Sequence, residues 1–391
     1  MPDMKMPEGM QMDEGMDCCG EAASAVLNNK TGVPIEGASL VSKFNEEYKP
    51  IYCLLPVYEV QFKRSDNIRI YVETTQDRFS VAVDKNRAAF TTFFDLVHTW
   101  GWINFLGKGR LIVVMALAGL AFLTAVMGLY IFFTTKSKSS KTNKLVKSRR
   151  LHRIISMIAV SFTLMFTFSG CYQAFSEFTT PEKQVKTLTH AFAAKALHLN
   201  FDSLRAAVKK PLSNFGLIEL NGSTYWQAFA QQKNKRPKDL MKSMSAPRIA
   251  VSYINANTYN PLDDGDELYA RSLATGFSKH NSVEIMSSTL ITHFTDEYNF
   301  TDKRLPVWKI DYTFNHKESL YVETCSGTLA KQTNDLDLIE GYSFALFHKH
   351  HYMDFGGKTT RDVSTMVAAA LQILMVIFGL VLYFRWRRKK F

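Results

Sequence analysis

Two histidines occupy equivalent positions 250 residues apart. Residues 44–108 align with residues 294–358 without a gap, and sixteen of the aligned positions are identical, including His98 with His348. Chance alone would give about four identities. An axis that relates two copies of a unit can bring equivalent side chains together. Imidazole is a usual axial ligand of haem iron, so this pair could hold one b-type haem between two helices.

A simpler interpretation exists for each histidine taken alone. A histidine near the end of a helix can cap that helix or anchor it at a membrane surface. Trp100, Trp102 and Tyr352 would belong at the same surface, because aromatic side chains with one polar end concentrate there. Composition and spacing leave both interpretations open.

The second copy contains two further histidines beside His348. His351 lies one turn later, so we expect it on the same side of a helix as His348, as an alternative ligand or a substrate contact. Its counterpart in the first copy is Gly101, and symmetry therefore favours His348. His350 is expected to point elsewhere and to be solvated.

Three segments are long and apolar enough to cross a bilayer: Leu111–Phe133, Ile154–Tyr172 and Ser364–Phe384. A hydrocarbon layer of about 30 Å needs about 20 helical residues. One buried helix of a soluble protein could have this composition, but three predict a membrane protein. We expect His98 and His348 near the outer ends of the first and last spanning helices, on extensions that begin before the apolar cores.

The net charge of +11 is concentrated beside the predicted spans. The loop from Thr134 to Arg153 holds eight Lys or Arg, the tail after Phe384 holds five, and neither contains an acid. This distribution follows the positive-inside rule and argues against a nucleic-acid partner. It predicts a cytoplasmic loop and C-terminus, with residues 1–110 and 173–363 across the membrane. Lipid binding is an alternative role for the loop.

His152 is a third candidate ligand, at the cytoplasmic entrance of the second span between Arg150 and Arg153. Arginines can pair with haem propionates, although the topology explains them equally well. The repeat partner of His152 would precede Met1. A second, inner haem would then have one ligand in this chain, and the full design is expected to have four transmembrane helices.

The first twenty residues are rich in sulfur. They hold six of the sixteen methionines and the adjacent Cys18 and Cys19. Thioether and thiolate groups suit Cu(I), which makes these two cysteines weak metal-ligand candidates. Because no histidine accompanies them, a disordered segment is the simpler interpretation.

Outside the spans, hydrophobic periodicity predicts α+β structure. Asn221-Gly222-Ser223 indicates a hairpin turn, and the acidic run at Asp263 indicates a helix start. The predicted helices are Val185–Lys209, Asp263–Phe277, Val283–Phe294 and, in the first copy, Ala38–Phe44. The predicted strands are Leu217–Leu220, Tyr225–Ala230, Ile249–Ile254, Val307–Phe314, Leu320–Thr324, Val57–Phe62 and Ile68–Thr74.

These motifs resemble two related families. Tyr253-Ile254-Asn255-Ala256, Asp263-Asp264-Gly265-Asp266 and Tyr269-Ala270 resemble the PepSY domain. Three further motifs resemble the PepSY-associated transmembrane family: Arg150-Leu151-His152-Arg153 with Phe168-Ser169-Gly170, Phe347-His348-Lys349-His350-His351, and Asp354-Phe355-Gly356-Gly357-Lys358. The resemblance covers nearly all of residues 20–391.

The resemblance predicts a membrane α-helical protein with exported α+β PepSY-like domains and two parallel repeats. The expected segments are a Met-rich segment (1–20), a truncated PepSY-like domain (21–95), a spanning helix with an outer extension (96–134), a basic cytoplasmic loop (135–150), a second spanning helix (151–175), an exported α+β region (176–345), a third spanning helix with an outer extension (346–384) and a basic tail (385–391).

The family implies a bacterial inner-membrane protein linked to iron uptake, with relatives that are haem-containing ferric-siderophore reductases. In that context the paired His98 and His348 favour haem ligation. Two haems would carry electrons from a quinone or cytoplasmic donor to a ferric siderophore outside. No flavin or nicotinamide site is expected, because no nucleotide-binding glycine-rich loop is visible.

The rival hypothesis is a non-enzymatic module whose PepSY-like domains bind or restrain a periplasmic partner. In that case the histidines are structural. Neither H-E-x-x-H nor G-x-S-x-G occurs, so no hydrolase competes with these two hypotheses.

Overall fold

The computed structural model describes residues 33–387, with gaps at 75–77, 137–141, 180–185, 189–190, 193–199, 209, 232–248, 279–284, 296, 300–301 and 314–316. Cys18, Cys19 and the Met-rich segment lie outside the described residues. The chain divides into two compact units. The sheet unit comprises Met1–Phe93 and Lys183–Asn334, and the helical unit comprises Phe94–Glu182 and Asp335–Phe391.

Within the described residues, the sheet unit contains three antiparallel sheets. The first has the order β1-β2-β3-β4, the second β10-β11-β12-β13-β5 and the third β6-β7-β8-β9. The strands are β1 Ile35–Val41, β2 Val57–Phe62, β3 Arg69–Glu73, β4 Arg78–Val83, β5 Lys186–Thr187, β6 Leu212–Leu220, β7 Ser223–Gln231, β8 Ile249–Asn255, β9 Pro261–Leu262, β10 Ile285–Ile291, β11 Val307–Tyr312, β12 Ser319–Glu323 and β13 Thr328–Thr333.

The four strands of the first sheet match β10 to β13 of the second, strand for strand, at an offset of 250 residues. Val41 pairs with Val57 and Ile291 with Val307, and both sheets carry a register shift at the tyrosine of the third strand. In each sheet a buried tyrosine donates its hydroxyl to a backbone carbonyl six residues later: Tyr48 to Leu54 and Tyr298 to Arg304. The aligned residues therefore build the same local structure twice.

Two of the predicted helices are strands. The residues predicted as helices Ala38–Phe44 and Val283–Phe294 lie largely in β1 and β10, which pair with β2 and β11. Both runs are short, and short apolar runs fit either periodicity. Backbone pairing with a neighbouring strand decides the outcome, because it satisfies every second amide and carbonyl. The predicted helix Val185–Lys209 also fails at its start, where β5 pairs with β13.

The third sheet confirms the predicted hairpin. β6 ends at Leu220 and β7 begins at Ser223, with Asn221 and Gly222 both at positive φ, as a two-residue turn requires. The helix Gly265–Phe277, labelled α5, starts where the acidic run predicted and packs on two sheets. Tyr269 and Leu273 of this helix join Tyr253 and Ile310 in the main hydrophobic core.

A buried ion cluster joins the first two sheets. Glu323 of β12 is fully buried, and its carboxylate accepts hydrogen bonds from Arg78 of β4 and from Arg304. Burial alone raises the pKa of Glu323, but the two guanidinium groups outweigh burial and hold the pKa at about 2. Glu323 is therefore ionised at neutral pH.

The α-helices are α1 Lys85–Val97, α2 Gly109–Thr134, α3 Lys144–Thr179, α4 Phe201–Val208, α5 Gly265–Phe277, α6 Asp335–Ser343 and α7 Gly357–Arg387. Three of them, α2, α3 and α7, are long and apolar enough to cross a membrane, and they contain the three predicted spans. In the helical unit, α3 packs against both α2 and α7. Among the described residues, α3 therefore contacts both of the other spanning helices.

Short turns separate the histidines from the spanning helices. A 3-10 helix, Gly101–Leu106, lies between α1 and α2. A π-helical turn, Phe344–His348, and a 3-10 helix, His351–Gly356, lie between α6 and α7. His98 and His348 thus precede the spanning helices, whereas the sequence predicted continuous extensions of those helices.

Candidate functional site

His98 and His348 lie side by side in the helical unit. Their ring centroids are 5.8 Å apart and their planes cross at 64°. Each imidazole also packs on a phenylalanine four residues earlier: Phe94 at 4.6 Å and Phe344 at 4.9 Å. The two phenylalanines are themselves equivalent in the sequence alignment, so both copies support the imidazole in the same way.

The separation of the two rings suits a shared iron. Two imidazoles that bind one metal along a line have centroids about 6 Å apart, from metal–nitrogen bonds of about 2 Å and ring radii of about 1 Å. Among the described residues, no group of three or more His, Cys, Asp or Glu could hold a free metal ion. A haem iron needs only two axial protein ligands, because the porphyrin supplies four nitrogens.

Two side chains of α3 contact the imidazole of His348. Its Nδ1 lies 3.1 Å from Oγ of Ser169, which is buried in α3, and its ring packs on Phe166 at 5.3 Å. These contacts leave Nε2 as the ring nitrogen available for binding. Burial lowers the pKa of His348 to about 4, with the neighbouring His98 adding to the shift, and burial also lowers the pKa of His98. Both imidazoles are therefore neutral at pH 7, the form that binds metals.

His350 is buried, contrary to the prediction that it is solvated. Its side chain is 0% exposed and stacks on Phe166 with ring planes 3° apart. Nδ1 lies 2.9 Å from Oγ of Ser364 in α7, and Nε2 has no hydrogen-bond partner. The backbone explains the error: His350 is at positive φ, so the chain reverses there and turns the side chain inward.

His351 does not share a helix face with His348. The π-helical turn ends at His348, and a separate 3-10 helix begins at His351. His351 is 41% exposed and its Nδ1 lies 2.9 Å from the carboxylate of Asp354. The prediction that His351 faces the same side as His348 is therefore wrong, because it assumed an uninterrupted helix.

No curated protein and no solved structure matches the chain. The family model described as the PepSY-associated TM region matches residues 37–282, more than half of the chain. The chain belongs to this family. Together with the three apolar helices, membership identifies a multi-pass membrane protein with a PepSY-associated region.

His152 of this PepSY-associated TM protein lies in α3, far in sequence from the other four histidines of the helical unit. Its ring meets Phe378 of α7 edge-on at 5.4 Å, and its Nδ1 is buried without a partner. A Cβ atom added to Gly379 would come within 3.3 Å of Nε2, so the glycine lets α7 approach the imidazole closely.

Arg153, one of the two arginines beside His152, contacts the end of α2. Arg153 donates to the carbonyls of Phe132 and Thr135, and its guanidinium lies 4.8 Å from the Phe132 ring. These are the carbonyls left unpaired at the C-terminus of α2, which attract cations. Arg153 was considered a possible partner of a haem propionate. It instead caps the C-terminus of α2.

Sequence reasoning missed three contributors to the site. Ser169 was noted only as part of a family motif, while Phe166 and Ser364 carried no signal, because their role depends on how α3 and α7 pack beside the turn. The equivalence of Phe94 and Phe344 was visible in the alignment, four residues before each histidine. That spacing was the one available clue to their contact.

Proposed function

We propose that this PepSY-associated TM protein is a haem-bearing oxidoreductase of the bacterial inner membrane. It passes electrons from a quinone or cytoplasmic donor to an acceptor on the outer side, a ferric siderophore in iron uptake. The observation that carries the proposal is the contact between His98 and His348, two equivalent histidines whose rings lie 5.8 Å apart.

The chain would contribute iron ligands, insulation and orientation of the haem. His98 and His348 would bind an outer b-type haem through neutral imidazoles, and Phe94, Phe344 and Phe166 would keep water away from the ring faces. The haem supplies one-electron chemistry when bound. His152 would be the single ligand in this chain for an inner haem, and its unpartnered buried nitrogen supports that assignment.

The orientation follows from charge. The basic loop after α2 and the basic tail after α7 support a cytoplasmic position for both, in which case the sheet unit would be exported and the His98–His348 pair would lie on the outer side. In this arrangement the repeats run parallel. The exported PepSY-like sheets would present the ferric chelate, and no flavin or nicotinamide site is required in the chain itself.

The test is the visible spectrum of the chain purified in detergent from haem-replete cells. We expect a reducible Soret band that is lost in His98→Ala and in His348→Ala. The matched control is His351→Ala, which removes an exposed imidazole three residues from His348 and should leave the band unchanged. A folded but colourless protein contradicts the proposal, and so does a band that survives both ligand substitutions.

A binding module remains the second candidate, favoured by the edges of two sheets. β1 and β10 are edge strands in their sheets, and they expose Leu40, Met286 and Leu290 at 58%, 64% and 44%. An exposed edge strand can pair with an extended segment of a partner. A colourless protein that binds a periplasmic peptide through these strands would favour this candidate.

A further inference from the structure

We infer that Ser169 is a positioning residue: its hydroxyl fixes the ring orientation and tautomer of His348, so that Nε2 is presented as a lone pair to the iron. This inference rests on the proposed function, in which His348 is an axial ligand. It assigns a role to a side chain on a different helix, far from His348 in sequence.

The hydroxyl of Ser169 is in place to act on one ring nitrogen only. Ser169 is 1% exposed, and its Oγ lies 3.1 Å from Nδ1 of His348. The same Oγ lies 3.4 Å from the carbonyl oxygen of Phe166, one turn earlier in α3. The hydroxyl thus lies between a nitrogen that can donate and a carbonyl that can only accept.

This arrangement selects one tautomer of His348. A backbone carbonyl has no proton, so the Ser169 hydroxyl donates its proton to Phe166 and offers its lone pairs to the imidazole. His348 then donates Nδ1–H to Oγ, and Nε2 keeps a free lone pair. In the opposite tautomer, Nε2 would carry the proton and could not bind a metal. Histidine ligands in proteins are commonly oriented through their other nitrogen in this way.

Packing completes the constraint. Phe344 stacks on the imidazole with ring planes 13° apart, and Phe166 packs on it at 5.3 Å. These rings limit rotation about the side-chain bonds, but they cannot distinguish the imidazole from its 180° flip, because both orientations have nearly the same shape. The flip would put Cδ2 in the place of Nδ1 and Cε1 in the place of Nε2. The hydrogen bond to Ser169 makes that distinction.

The chain contains a matched control. Ser364 of α7 contacts Nδ1 of His350 at 2.9 Å, a bond of similar length to a histidine that the proposed function does not use as a ligand. Removing either hydroxyl deletes one oxygen atom beside the Nδ1 of an imidazole. Only the loss of the Ser169 hydroxyl should change the haem affinity and the ferric spectrum.

The experiment compares Ser169→Ala, Ser169→Thr and Ser364→Ala with the wild-type chain in detergent. Haem affinity is measured by titration of the apoprotein, and the ferric electron paramagnetic resonance spectrum reports ligand orientation. For Ser169→Ala we expect about a 10- to 100-fold loss of haem affinity, altered g values and a higher midpoint potential, because a hydrogen bond from the ligand raises its basicity. Ser169→Thr keeps a hydroxyl and should restore the wild-type spectrum.

Each outcome bears on one hypothesis. If wild-type protein binds no haem, the proposed function fails. If wild-type protein binds haem and Ser169→Ala has unchanged affinity and g values, the positioning role fails while the proposed function stands. An altered spectrum in Ser364→Ala with none in Ser169→Ala also overturns the inference, because it would indicate that His350 is the ligand.

Discussion

At the scale of single residues, the three neighbouring histidines His348, His350 and His351 differ in burial and contacts in ways that their spacing could not reveal. His348 and His351 were expected on one helix face, and His350 on the other. The positive φ of His350 breaks the helix, buries that residue and leaves His351 exposed beside Asp354. A left-handed residue other than glycine or asparagine has little signal in one sequence, although Trp100, the counterpart of His350, adopts the same conformation.

The buried imidazole of His350 is expected to be dispensable. Its Nε2 has no partner, and an unsatisfied buried polar atom costs about 1–3 kcal/mol. His350→Phe removes that atom and keeps a flat ring to stack on Phe166, while Ser364 loses its partner. We therefore expect an unfolding free energy within about 1 kcal/mol of wild type. The measurement is the denaturant midpoint in detergent.

The contrast with His348 makes this prediction specific. The haem content of His350→Phe should equal that of wild type, whereas His348→Phe should lose the Soret band. Loss of haem in His350→Phe with normal stability would show that His350, and not His348, is the ligand that the sequence should have singled out.

At the scale of elements, the three spans and most strands were predicted well, whereas two short apolar runs were assigned to helices although they form strands. The three spans were recognised because about 20 apolar residues leave few alternatives. β1 and β10 were predicted as helices because seven residues fit either period, and their assignment depends on pairing with β2 and β11. The contact of His98 with His348 was expected from the repeat. The contact of Ser169 with His348 was not, because it depends on how α3 packs against the π-helical turn.

The crossing of α3 and α7 depends on Gly379. A Cβ atom at this position would lie 3.3 Å from Nε2 of His152, closer than ordinary contact. Gly379→Leu should therefore separate the helices or displace His152, at an overpacking cost of about 1–3 kcal/mol. We expect a lower melting temperature for the detergent-solubilised protein.

Gly128 of α2 provides the comparison. A Cβ atom added there meets nothing within 4 Å, so Gly128→Leu adds the same side chain without a steric clash. It should leave the melting temperature close to wild type. Equal destabilisation by both substitutions would mean that added bulk in a spanning helix, and not contact with His152, is responsible.

At the scale of the molecule, the carboxylate of Glu323 binds arginine side chains from both copies of the repeat. Glu323 binds Arg304 within its own copy and Arg78 from the first copy, and all three side chains are at most 8% exposed. The alignment of the two copies shows that Glu323 is equivalent to Glu73. It does not show that Glu323 pairs with Arg78 of the other copy. An ion pair between distant segments leaves no periodic trace in the sequence.

Removing the charge of Glu323 should be costly. Glu323→Gln leaves two buried guanidinium groups without their anion, and breaking a buried pair typically costs about 3–5 kcal/mol. The matched control is Glu267→Gln, because Glu267 pairs with Arg271 at the surface, with side chains 35% and 43% exposed. That substitution should cost less than about 1 kcal/mol. Denaturant midpoints of the full chain compare the two variants.

The same carboxylate predicts how stability depends on pH. Its folded pKa of about 2 lies below the ordinary value of 4.5, so ionised Glu323 stabilises the fold above about pH 4.5. That stabilisation, on the order of 3 kcal/mol, is lost as the pH falls from about 4.5 through 2, because the unfolded chain takes up the proton first. Glu323→Gln should flatten this part of the wild-type pH profile and leave its slope above pH 5 unchanged. An equally steep acid limb in the variant would assign the pH dependence to other carboxylates and would mean that the Arg78–Glu323–Arg304 cluster does not couple the two sheets.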